Sequence, residues 1–475
     1  MATTLERPQA AADERDAGEA ARLAAVPLRV TDPERIPSKR YYDQAFFELE
    51  REKLWPHVWQ MAARLEEIPE IGDYVEYRNL DKSVIVVRTK AGVKAFHNAC
   101  RHRGVQLVPN EGRGNCRTKG FICPFHGWRW NMDGDNTFVF GKQIFSEELL
   151  AKAEIDLVPA RVEEWGGCAF INFDENAPAL IDSLGPVAQK LGDRNVDKLR
   201  MEWWYATVLP TNWKLAMEAF MEGYHVMRTH PQLHLPEFNA YGPDPDSKPI
   251  TSALTPRDFI TKYHKFFATN SRGMAGMVLQ SEVDIAAKSL DMELPDDLGE
   301  AMAAYNYKIK DDIYKEGLAK GLPVFDINAA DARNGLTYVE FMFPHYFLLP
   351  YFSAMSSYRI RPLTAETCFF EIWSLAPMAD DDPRPRVTEP TILPYDSTDF
   401  PEIPQQDYAN LPIQQQGLHA GGFDFMRLSR EKEGMISNYQ RLIDGYLADV
   451  EPQKLARATA VVNSGFDAAI ADIGF

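Results

Sequence analysis

Two short segments of the chain combine cysteine and histidine at spacings that suit metal coordination. Cys100 and His102 are separated by one residue, Cys123 and His126 by two, and 20 residues lie between the two pairs. Two such loops complete a set of four ligands. If the cysteines bind one iron and the histidines another, the set holds a [2Fe–2S] cluster with a potential of roughly −150 to +300 mV, against about −400 mV for an all-cysteine cluster. That range suits electron relay toward dioxygen chemistry.

A structural zinc ion is the alternative occupant of these loops, because zinc also takes two cysteines and two histidines. Zinc fingers keep cysteine with cysteine and histidine with histidine, whereas each segment here mixes the two types. The ligand order therefore favours the cluster. Gly104 and Gly127 follow the two pairs and allow the backbone to approach a cluster closely. Trp128 and Trp130 are placed to shield one side of it from water.

A second group of potential ligands lies on a segment that we predict to be helical over Trp213–Tyr224. On a helix, Glu218, Glu222 and His225 lie at positions i, i+4 and i+7 and therefore share one face. Two acids and one histidine on a common face form one side of a possible metal site. A buried, structural carboxylate is the alternative role for Glu218.

A second histidine completes the pattern only if the helix ends before it. His230 falls about 120° away from Glu218 on a continuous helix. Pro231 predicts such an end, because proline pushes the preceding residue out of the α region. Two histidines and one distant carboxylate form the facial triad of non-haem Fe(II) oxygenases, which leaves positions open for O₂ and substrate. The His225–His230 pair alone is a weak signal, and the upstream cysteine–histidine loops strengthen it.

The composition restricts the class of protein. The 475 residues suffice for two or three domains. A formal charge of −18 argues against a nucleic-acid or membrane partner. No apolar run is long enough to span a bilayer, and residues 1–25 lack the apolar centre of a secretory signal. Five cysteines form no disulfide scaffold, so we expect a reducing, cytoplasmic setting.

The pattern of elements predicts an α+β protein with two main domains. Short β-like runs separated by glycine and Asp/Asn clusters predict a small antiparallel β domain at 57–173. Strands and helices are segregated after residue 174, so the larger domain at 174–475 is α+β. We expect a mobile tail at 1–38 and an N-terminal helix at 39–56 that packs on the catalytic domain. We expect a mainly helical insert at about 240–335 and a proline-rich surface loop at 378–406.

At this point the chain resembles a known family. Cys-Arg-His-Arg-Gly at 100–104 and Cys-Pro-Phe-His-Gly-Trp at 123–128 are similar to the two ligand loops of Rieske non-haem iron oxygenases, the α subunits of aromatic ring-hydroxylating dioxygenases. The loop between them is a few residues longer than is usual and contains Cys116, which we interpret as a non-ligand. The resemblance implies a [2Fe–2S] Rieske domain, and a catalytic domain in which helices wrap an antiparallel sheet (a helix-grip fold).

The resemblance also implies residue roles in the catalytic domain. His225 and His230 take the positions of ligands to a mononuclear Fe(II). Glu222 takes the position of a bridging acid, usually Asp, that links the first iron ligand to a cluster histidine, here His126, of the neighbouring subunit. The third ligand is expected downstream. Asp407 precedes a Gln-x-Gly-Leu sequence by eight residues as in the family and is our choice, with Asp424 as the alternative.

The implied assembly is a homotrimer, with or without a small β subunit. No G-x-G-x-x-G motif follows a strand and no plant-type cluster motif is present, so electrons from NAD(P)H must arrive through a separate flavin reductase, a ferredoxin, or both. Residues 101–129 carry six basic side chains and one acid, Glu111, a bias that suits an acidic donor. Ordinary loop solvation is the alternative explanation.

These observations predict an oxygenase that hydroxylates or oxidatively demethylates an apolar aromatic or polycyclic molecule. The alternatives are a Rieske electron carrier without oxygen chemistry and a zinc-stabilised binding module. The substrate expectation rests on apolar residues of the predicted pocket helix and of the facing strands. These residues are Met217, Phe220, Met221, Phe341, Phe343 and Phe347. Such residues line ordinary cores more often than pockets.

Overall fold

The computed structural model describes residues 17–110, 112–233, 254–335 and 337–475, and its architecture is α+β, as predicted. Within the described residues, the first domain contains one seven-stranded sheet and one three-stranded sheet. The seven strands, in spatial order, are Gln60–Arg64, Cys168–Asn172, Pro159–Trp165, Gly92–His97, Lys82–Thr89, Asp73–Asn79 and Arg113–Asn115. The three strands of the smaller sheet are Phe121–Ile122, Arg129–Trp130 and Asn136–Phe138. All of them pair antiparallel.

A six-stranded sheet forms the centre of the second domain. Its strands, in spatial order, are Glu340–Met342, Tyr346–Pro350, Met355–Thr364, Thr367–Ala376, Arg200–Leu209 and Thr391–Ile392. The last strand is short and parallel to its neighbour, and the others pair antiparallel. The central strands are buried along almost their whole length, because helices and the first domain cover them. A separate two-stranded pair joins Arg35–Pro37 to Phe425–Arg427.

Helices surround this sheet. The α-helices of the described residues are Gln44–Lys53, Lys152–Ile155, Leu180–Leu184, Pro186–Gly192, Trp213–Glu218, Val226–Thr229, Pro256–Gly273, Gln280–Lys288, Leu298–Ala319, Ile327–Asn334, Glu402–Gly417, Gly434–Leu447 and Pro452–Asn463, and residues 17–24 are also helical. Short 3₁₀ turns lie at Ser38–Tyr41, Trp55–His57, Leu65–Glu67, Lys142–Ile144, Glu148–Leu150, Val196–Lys198 and Pro231–Leu233. None of the described helices is both long and apolar enough to cross a bilayer.

Two arginines on the central hairpin join the domains. Arg359 makes a bidentate pair with Glu371, at 2.7 Å for both contacts, and its free nitrogen donates to the carbonyls of Met61 and Ala62 in the first domain. Arg361 donates in the same way to the carbonyl of Arg78. Because both guanidinium groups are buried, loss of the Glu371 carboxylate would cost about 3–5 kcal/mol. The contact therefore fixes the small domain against the catalytic sheet.

Three predictions of local structure need correction. Residues 17–38 of the predicted mobile tail pack onto the protein: Leu23, Val26 and Val30 are buried, and the backbone N–H of Val30 donates to the Asp444 carboxylate. The physical reason is the spacing of these apolar residues, which the surrounding Ala and charged residues obscured. Residues 1–16 lie outside the described part. The predicted loop at 378–406 contains a short strand, and a helix begins at Glu402.

The third correction concerns the helix predicted over Trp213–Tyr224. This helix ends at Glu218 and is followed by turns and bends, so Glu218, Glu222 and His225 do not share one face of a continuous helix. The reason is local, because the Glu222 carboxylate accepts the backbone N–H of His225 and so begins a new turn. In the predicted insert, helices account for most of the described residues from Pro256 to Asn334, and residues 240–253 lie outside the described part.

Candidate functional site

The two cysteine–histidine loops of the first domain have the same backbone geometry. In one loop the N–H of Gly104 donates to the carbonyl of Cys100 at 2.9 Å, and in the other the N–H of Gly127 donates to the carbonyl of Cys123 at 3.0 Å. Both glycines have positive φ, 75° and 72°, a conformation that favours glycine. Each loop therefore folds back tightly on its cysteine, and the intervening histidine lies at the turn.

The four candidate ligands converge at the tips of these loops. The rings of His102 and His126 are 4.7 Å apart, and His102 stacks on Trp128 at 5.0 Å. The two thiols are adjacent. Burial raises the pKa of the Cys100 thiol; the backbone N–H of His102 opposes this shift, and the neighbouring Cys123 sulfur reinforces it. Both cysteines are buried, whereas both histidines are partly exposed.

The donor set fits a metal centre. Nδ1 of His102 is buried and has no hydrogen-bond partner among the described residues. The Cys100 thiol, whose pKa is raised, loses its proton readily only to a bound cation. These residues fit a [2Fe–2S] cluster with its cysteine side buried and its histidine side facing outward. The ligand roles of Cys100, His102, Cys123 and His126 stay predictions.

The second predicted group forms around a break in the helix. His225 precedes the one-turn helix Val226–Thr229, and His230 follows it with φ −122° and ψ 61°, outside the α region. The helix therefore ends before Pro231, as the proline predicted. Asp407 lies on the helix Glu402–Gly417, not on a loop, and is buried.

The three predicted iron ligands lie together. Nε2 of His230 is 2.9 Å from Oδ1 of Asp407, and Nε2 of His225 is 3.9 Å from the same oxygen. One ligand atom from each residue lies within 4.8 Å of the others. Among the described residues, this is the only group of three such side chains close enough to share a metal ion. Asp424, the alternative third ligand, is exposed and does not belong to it.

Hydrogen bonds orient both histidines. Nδ1–H of His225 donates to Oε1 of Glu222 at 2.7 Å, and Nδ1–H of His230 donates to Oε1 of Gln406 at 2.6 Å. Each ring therefore directs Nε2 toward Asp407. Metal-binding histidines normally have this arrangement, in which one ring nitrogen faces the metal and the other donates to an acceptor. Burial lowers the pKa of His225, but the hydrogen bond and charge of Glu222 outweigh it and raise the pKa overall.

Two features of the group were not predicted. Gln406 precedes Asp407 in sequence, but only the helix geometry turns its amide toward His230. The second is that Oε2 of Glu222 accepts the backbone N–H of His225 at 2.9 Å, so both carboxylate oxygens are held by one residue. The acid is therefore fixed in place before any contact with another subunit.

Aromatic side chains form a wall beside Asp407. Phe220 lies 4.6 Å from Phe347 and 5.1 Å from Tyr358, between ring centroids. Tyr408, the residue after Asp407, lies 5.2 Å from Phe370, and its buried hydroxyl has no partner among the described residues. We call Phe220, Phe347, Tyr358, Phe370 and Tyr408 the aromatic wall.

The pocket residues predicted from sequence divide between this wall and the core. Phe341 stacks on Phe347 and extends the wall. Phe343 instead packs on Tyr439 and Tyr446 of the helix Gly434–Leu447, which corrects its assignment to the pocket. Met217 and Met221 are fully buried.

A cavity of about 570 Å³ opens on the Glu222 side of the three ligands. Its lining includes Glu218, Glu222, His225, Asp407 and Arg427. The cavity therefore joins the candidate iron ligands to an acid, Glu218, that contacts none of them directly.

Comparisons with known proteins agree with this geometry. The family described as "Ring hydroxylating alpha subunit (catalytic domain)" matches residues 196–449, and "Rieske [2Fe-2S] domain" matches residues 58–139. The carnitine monooxygenase oxygenase subunit of Escherichia coli K12 is 34% identical over 200 residues, 41% of this chain and 52% of the relative. The glycine betaine monooxygenase oxygenase subunit of Chromohalobacter salexigens is 32% identical over 199 residues, 42% of this chain and 43% of the relative.

The chain thus spans about half the length of the curated relatives that it matches. Among solved structures, naphthalene 1,2-dioxygenase bound to phenanthrene superposes with a TM-score of 0.61 at 20% identity, over 92% of this chain and 98% of that one. A quaternary ammonium Rieske monooxygenase in complex with L-carnitine gives 0.54 at 19% identity, over 87% and 97%. At these identities the structures show a shared fold.

Proposed function

The chain belongs to the ring-hydroxylating oxygenase α subunits that carry a Rieske [2Fe–2S] domain, and from this premise we propose that it uses O₂ and externally supplied electrons to oxygenate a small molecule. The observation that carries the proposal is the convergence of His225, His230 and Asp407 within 4.8 Å. A Rieske electron carrier without oxygen chemistry does not require these three side chains. The match to the catalytic-domain family also covers residues 196–449, far beyond the cluster loops. A zinc-stabilised binding module is disfavoured on the same grounds.

Each side chain has a defined part in the proposal. An Fe(II) held by His225, His230 and Asp407 would supply O₂ activation, and a cluster at the two loops would supply electrons. Glu222 and Gln406 hold the two imidazoles in the tautomer that presents Nε2. The aromatic wall excludes water from the side of Asp407. Four of its five rings are buried, so a substrate would contact the wall through the half-buried ring of Phe220.

We propose a quaternary ammonium compound as the first candidate substrate. The faces of aromatic rings attract cations, and aromatic walls are the usual site of quaternary ammonium recognition. Relatives at 30–34% identity are named carnitine and glycine betaine monooxygenases. Glu222 is consistent with this class, because members that act on such compounds also use Glu at this position. The reaction would be hydroxylation of an N-methyl group followed by demethylation.

An apolar aromatic or polycyclic substrate is the second candidate. The same wall offers flat rings for stacking. A relative at 31% identity over 204 residues is named 2-aminobenzenesulfonate 2,3-dioxygenase subunit alpha. This class would be mono- or dihydroxylated on the ring.

Substrate-dependent O₂ uptake distinguishes the two candidates. We expect uptake with glycine betaine or carnitine. In an analogue of the same shape, a neutral tert-butyl group replaces the trimethylammonium group, and kcat/KM should be about tenfold lower because the cation–π attraction is lost. Uptake with naphthalene-type compounds alone would select the second candidate. If a protein with its full iron content consumes no O₂ with either class, the oxygenase proposal fails.

We also propose that the chain assembles as a homotrimer in which the cluster of one copy faces the iron of the next. The segment 122–149, which carries the second cluster loop, displays large apolar side chains to solvent. These are Ile122, Phe125, Phe138, Phe140, Ile144 and Leu149. Such an accumulation on one segment is typical of an interface. A small β subunit remains compatible with it.

Charged substitutions test this interface. We expect Phe140→Asp combined with Ile144→Asp, whose side chains are 68% and 77% exposed, to give a monomer in sedimentation velocity and to slow turnover, because the cluster would lose its neighbour. Ile181→Asp is the control, since Ile181 is also exposed but lies on the helix Leu180–Leu184, outside the segment 122–149. A double variant that sediments like the unmodified protein contradicts the proposal.

The electron donor remains a proposed partner. Arg103 and Arg129 lie over the rings of Phe125 and Phe138 at 5.3 Å, so positive charge borders the exposed apolar segment. An acidic ferredoxin, or a flavin reductase oxidising NAD(P)H, matches this charge. The five cysteines are buried and none of them forms a disulfide, which supports our proposal of a reducing, cytoplasmic setting.

A further inference from the structure

A buried polar network lies behind the candidate iron site, and Glu218 is at its centre. The Tyr41 hydroxyl lies 3.0 Å from each oxygen of the Glu218 carboxyl. Nε2 of Gln440 donates to Oε1 of the same group. Oε2 therefore contacts only the Tyr41 hydroxyl among the hydrogen bonds described, and that hydroxyl is able to donate or to accept.

The charges of the network do not balance if every acid is ionised. Arg40 pairs with Asp444 at 2.6 Å, and Lys214 pairs with Glu50 at 2.6 Å. All four side chains are almost completely buried. These two closed pairs use both cations and leave Glu218 without one of its own. A buried carboxyl without a paired cation is more stable in its protonated, neutral form.

The surroundings of Glu218 act in both directions on its protonation. Burial raises its pKa to about 7; the hydrogen bonds from Gln440 and Tyr41 and the charges of Lys214 and Arg40 act in the opposite direction. The other ionisable groups of the packed elements are Glu50, Tyr439 and Asp444, and those of the cavity are Glu222, His225, Asp407, Arg427 and Glu433.

The cavity connects this carboxyl to the candidate iron ligands. Glu218 is the last residue of the helix Trp213–Glu218 and precedes Glu222 by four residues, and both line the same 570 Å³ space as His225 and Asp407. A cavity of this size and polarity holds several waters. A proton that leaves Oε2 of Glu218 can therefore reach the iron side through water, without crossing the apolar core.

We propose that Glu218 stores a proton and supplies it through this cavity during oxygenation. The inference rests on the proposed function. Monooxygenation consumes one substrate C–H bond, O₂, two electrons and two protons, and yields one hydroxyl group and one water. The electrons come from the ferredoxin or reductase. Glu218 gives one of the protons to the oxygen atom that becomes water, is left as a carboxylate, and regains its proton from solvent through the cavity.

A purely structural role for Glu218 makes different predictions. At position 218, Gln would make the same hydrogen bonds to Tyr41 and Gln440 as a neutral Glu, because its amide both donates and accepts. A structural role therefore predicts that Glu218→Gln folds and turns over normally. A proton-supplying role predicts that the same variant folds normally but loses rate and pH dependence.

Two readouts on the iron-loaded protein test the proposal. Infrared titration of the unmodified protein should show a protonated carboxyl band that disappears with an apparent pKa of about 7, and Glu218→Gln should lack this band. Substrate-dependent O₂ uptake should fall as the pH rises through the same value, because the deprotonated acid has no proton to give. In Glu218→Gln the rate should be at least roughly 10-fold lower and independent of pH in this window.

Glu282→Gln is the matched control. Glu282 is equally buried and hydrogen-bonded, to Ser353, and burial raises its pKa as well, but it does not line the cavity. Its replacement should leave the Glu218 band and the pH profile in place. An equal change in both variants would overturn the proposal.

Tyr41→Phe keeps the test decisive if Glu218→Gln folds poorly. Because the Tyr41 hydrogen bond lowers the pKa of Glu218, its removal should move both the infrared titration and the falling limb of O₂ uptake to higher pH. An unchanged pH profile overturns the proposal. The infrared band also separates this proposal from the proposed function: a protein that shows the band but consumes no O₂ with any substrate contradicts the oxygenase assignment, and an active protein without the band contradicts only the role of Glu218.

Discussion

Replacing His230 by alanine is expected to remove the mononuclear iron and to abolish oxygenation while the cluster stays intact. The proposed site has three protein ligands, and Nε2 of His230 is the nitrogen closest to Asp407, at 2.9 Å. Iron analysis should fall from about three to about two atoms per chain. Substrate-dependent O₂ uptake should fall by about 1,000-fold or more, because the proposed O₂ activation requires the mononuclear iron. The visible spectrum of the cluster should not change.

His264→Ala is the control for this variant. His264 is a half-buried histidine on the helix Pro256–Gly273, and its ring contacts the carbonyl of Val283. It is not part of the group that could hold a metal. This variant should keep three irons and normal uptake. A His230→Ala protein that keeps all its iron, or oxygenates at an unaltered rate, would refute the assignment of the site.

Replacing Glu222 by glutamine is expected to slow electron transfer from cluster to iron by about 100-fold while both centres remain filled. Glu222 holds His225 through Nδ1 and through its backbone N–H. An amide fills the same space but loses the charge that strengthens both bonds, and loss of such a partner typically costs about 10–100-fold. The measurement is the rate at which a pre-reduced cluster is reoxidised in the presence of substrate and O₂.

Glu222→Asp serves as the conservative comparison. This variant retains the negative charge and has the side chain that most of the family carries at this position. Its rate of cluster reoxidation should therefore be close to that of the unmodified protein. If Glu222→Gln reoxidises its cluster as fast as the unmodified protein, the carboxylate is not part of the electron path. If Glu222→Gln instead loses its mononuclear iron, the acid acts only on metal binding.

The parts of the site that follow from local sequence were predictable. The mixed cysteine–histidine pairs lie on tight loops closed by glycines, and the spacing alone placed their side chains on one side. Pro231 located the end of the helix before His230. The sequence that follows Asp407 singled it out as the candidate third ligand, and the structure brings it close to both histidines. Its helix was not predicted, because Pro404 and Pro412 concealed the helical pattern.

The parts that depend on distant packing were not predictable. Glu218 lacks a cation of its own because Arg40 and Lys214 pair with acids more than 160 residues away from them. No local pattern reports such pairings. Phe343 was placed in the pocket because its strand faces the helix, but its ring turns to Tyr439 instead. The burial of Leu23, Val26 and Val30 likewise depends on a surface formed by the C-terminal helices.

Mössbauer spectroscopy can determine whether one chain holds two distinct iron centres, as we propose. The chain would be reconstituted anaerobically with the Mössbauer-active iron isotope and examined in its oxidised-cluster state. We expect a cluster component and a high-spin Fe(II) component in a ratio of about two to one. A spectrum with the cluster component alone, or with neither, would contradict it.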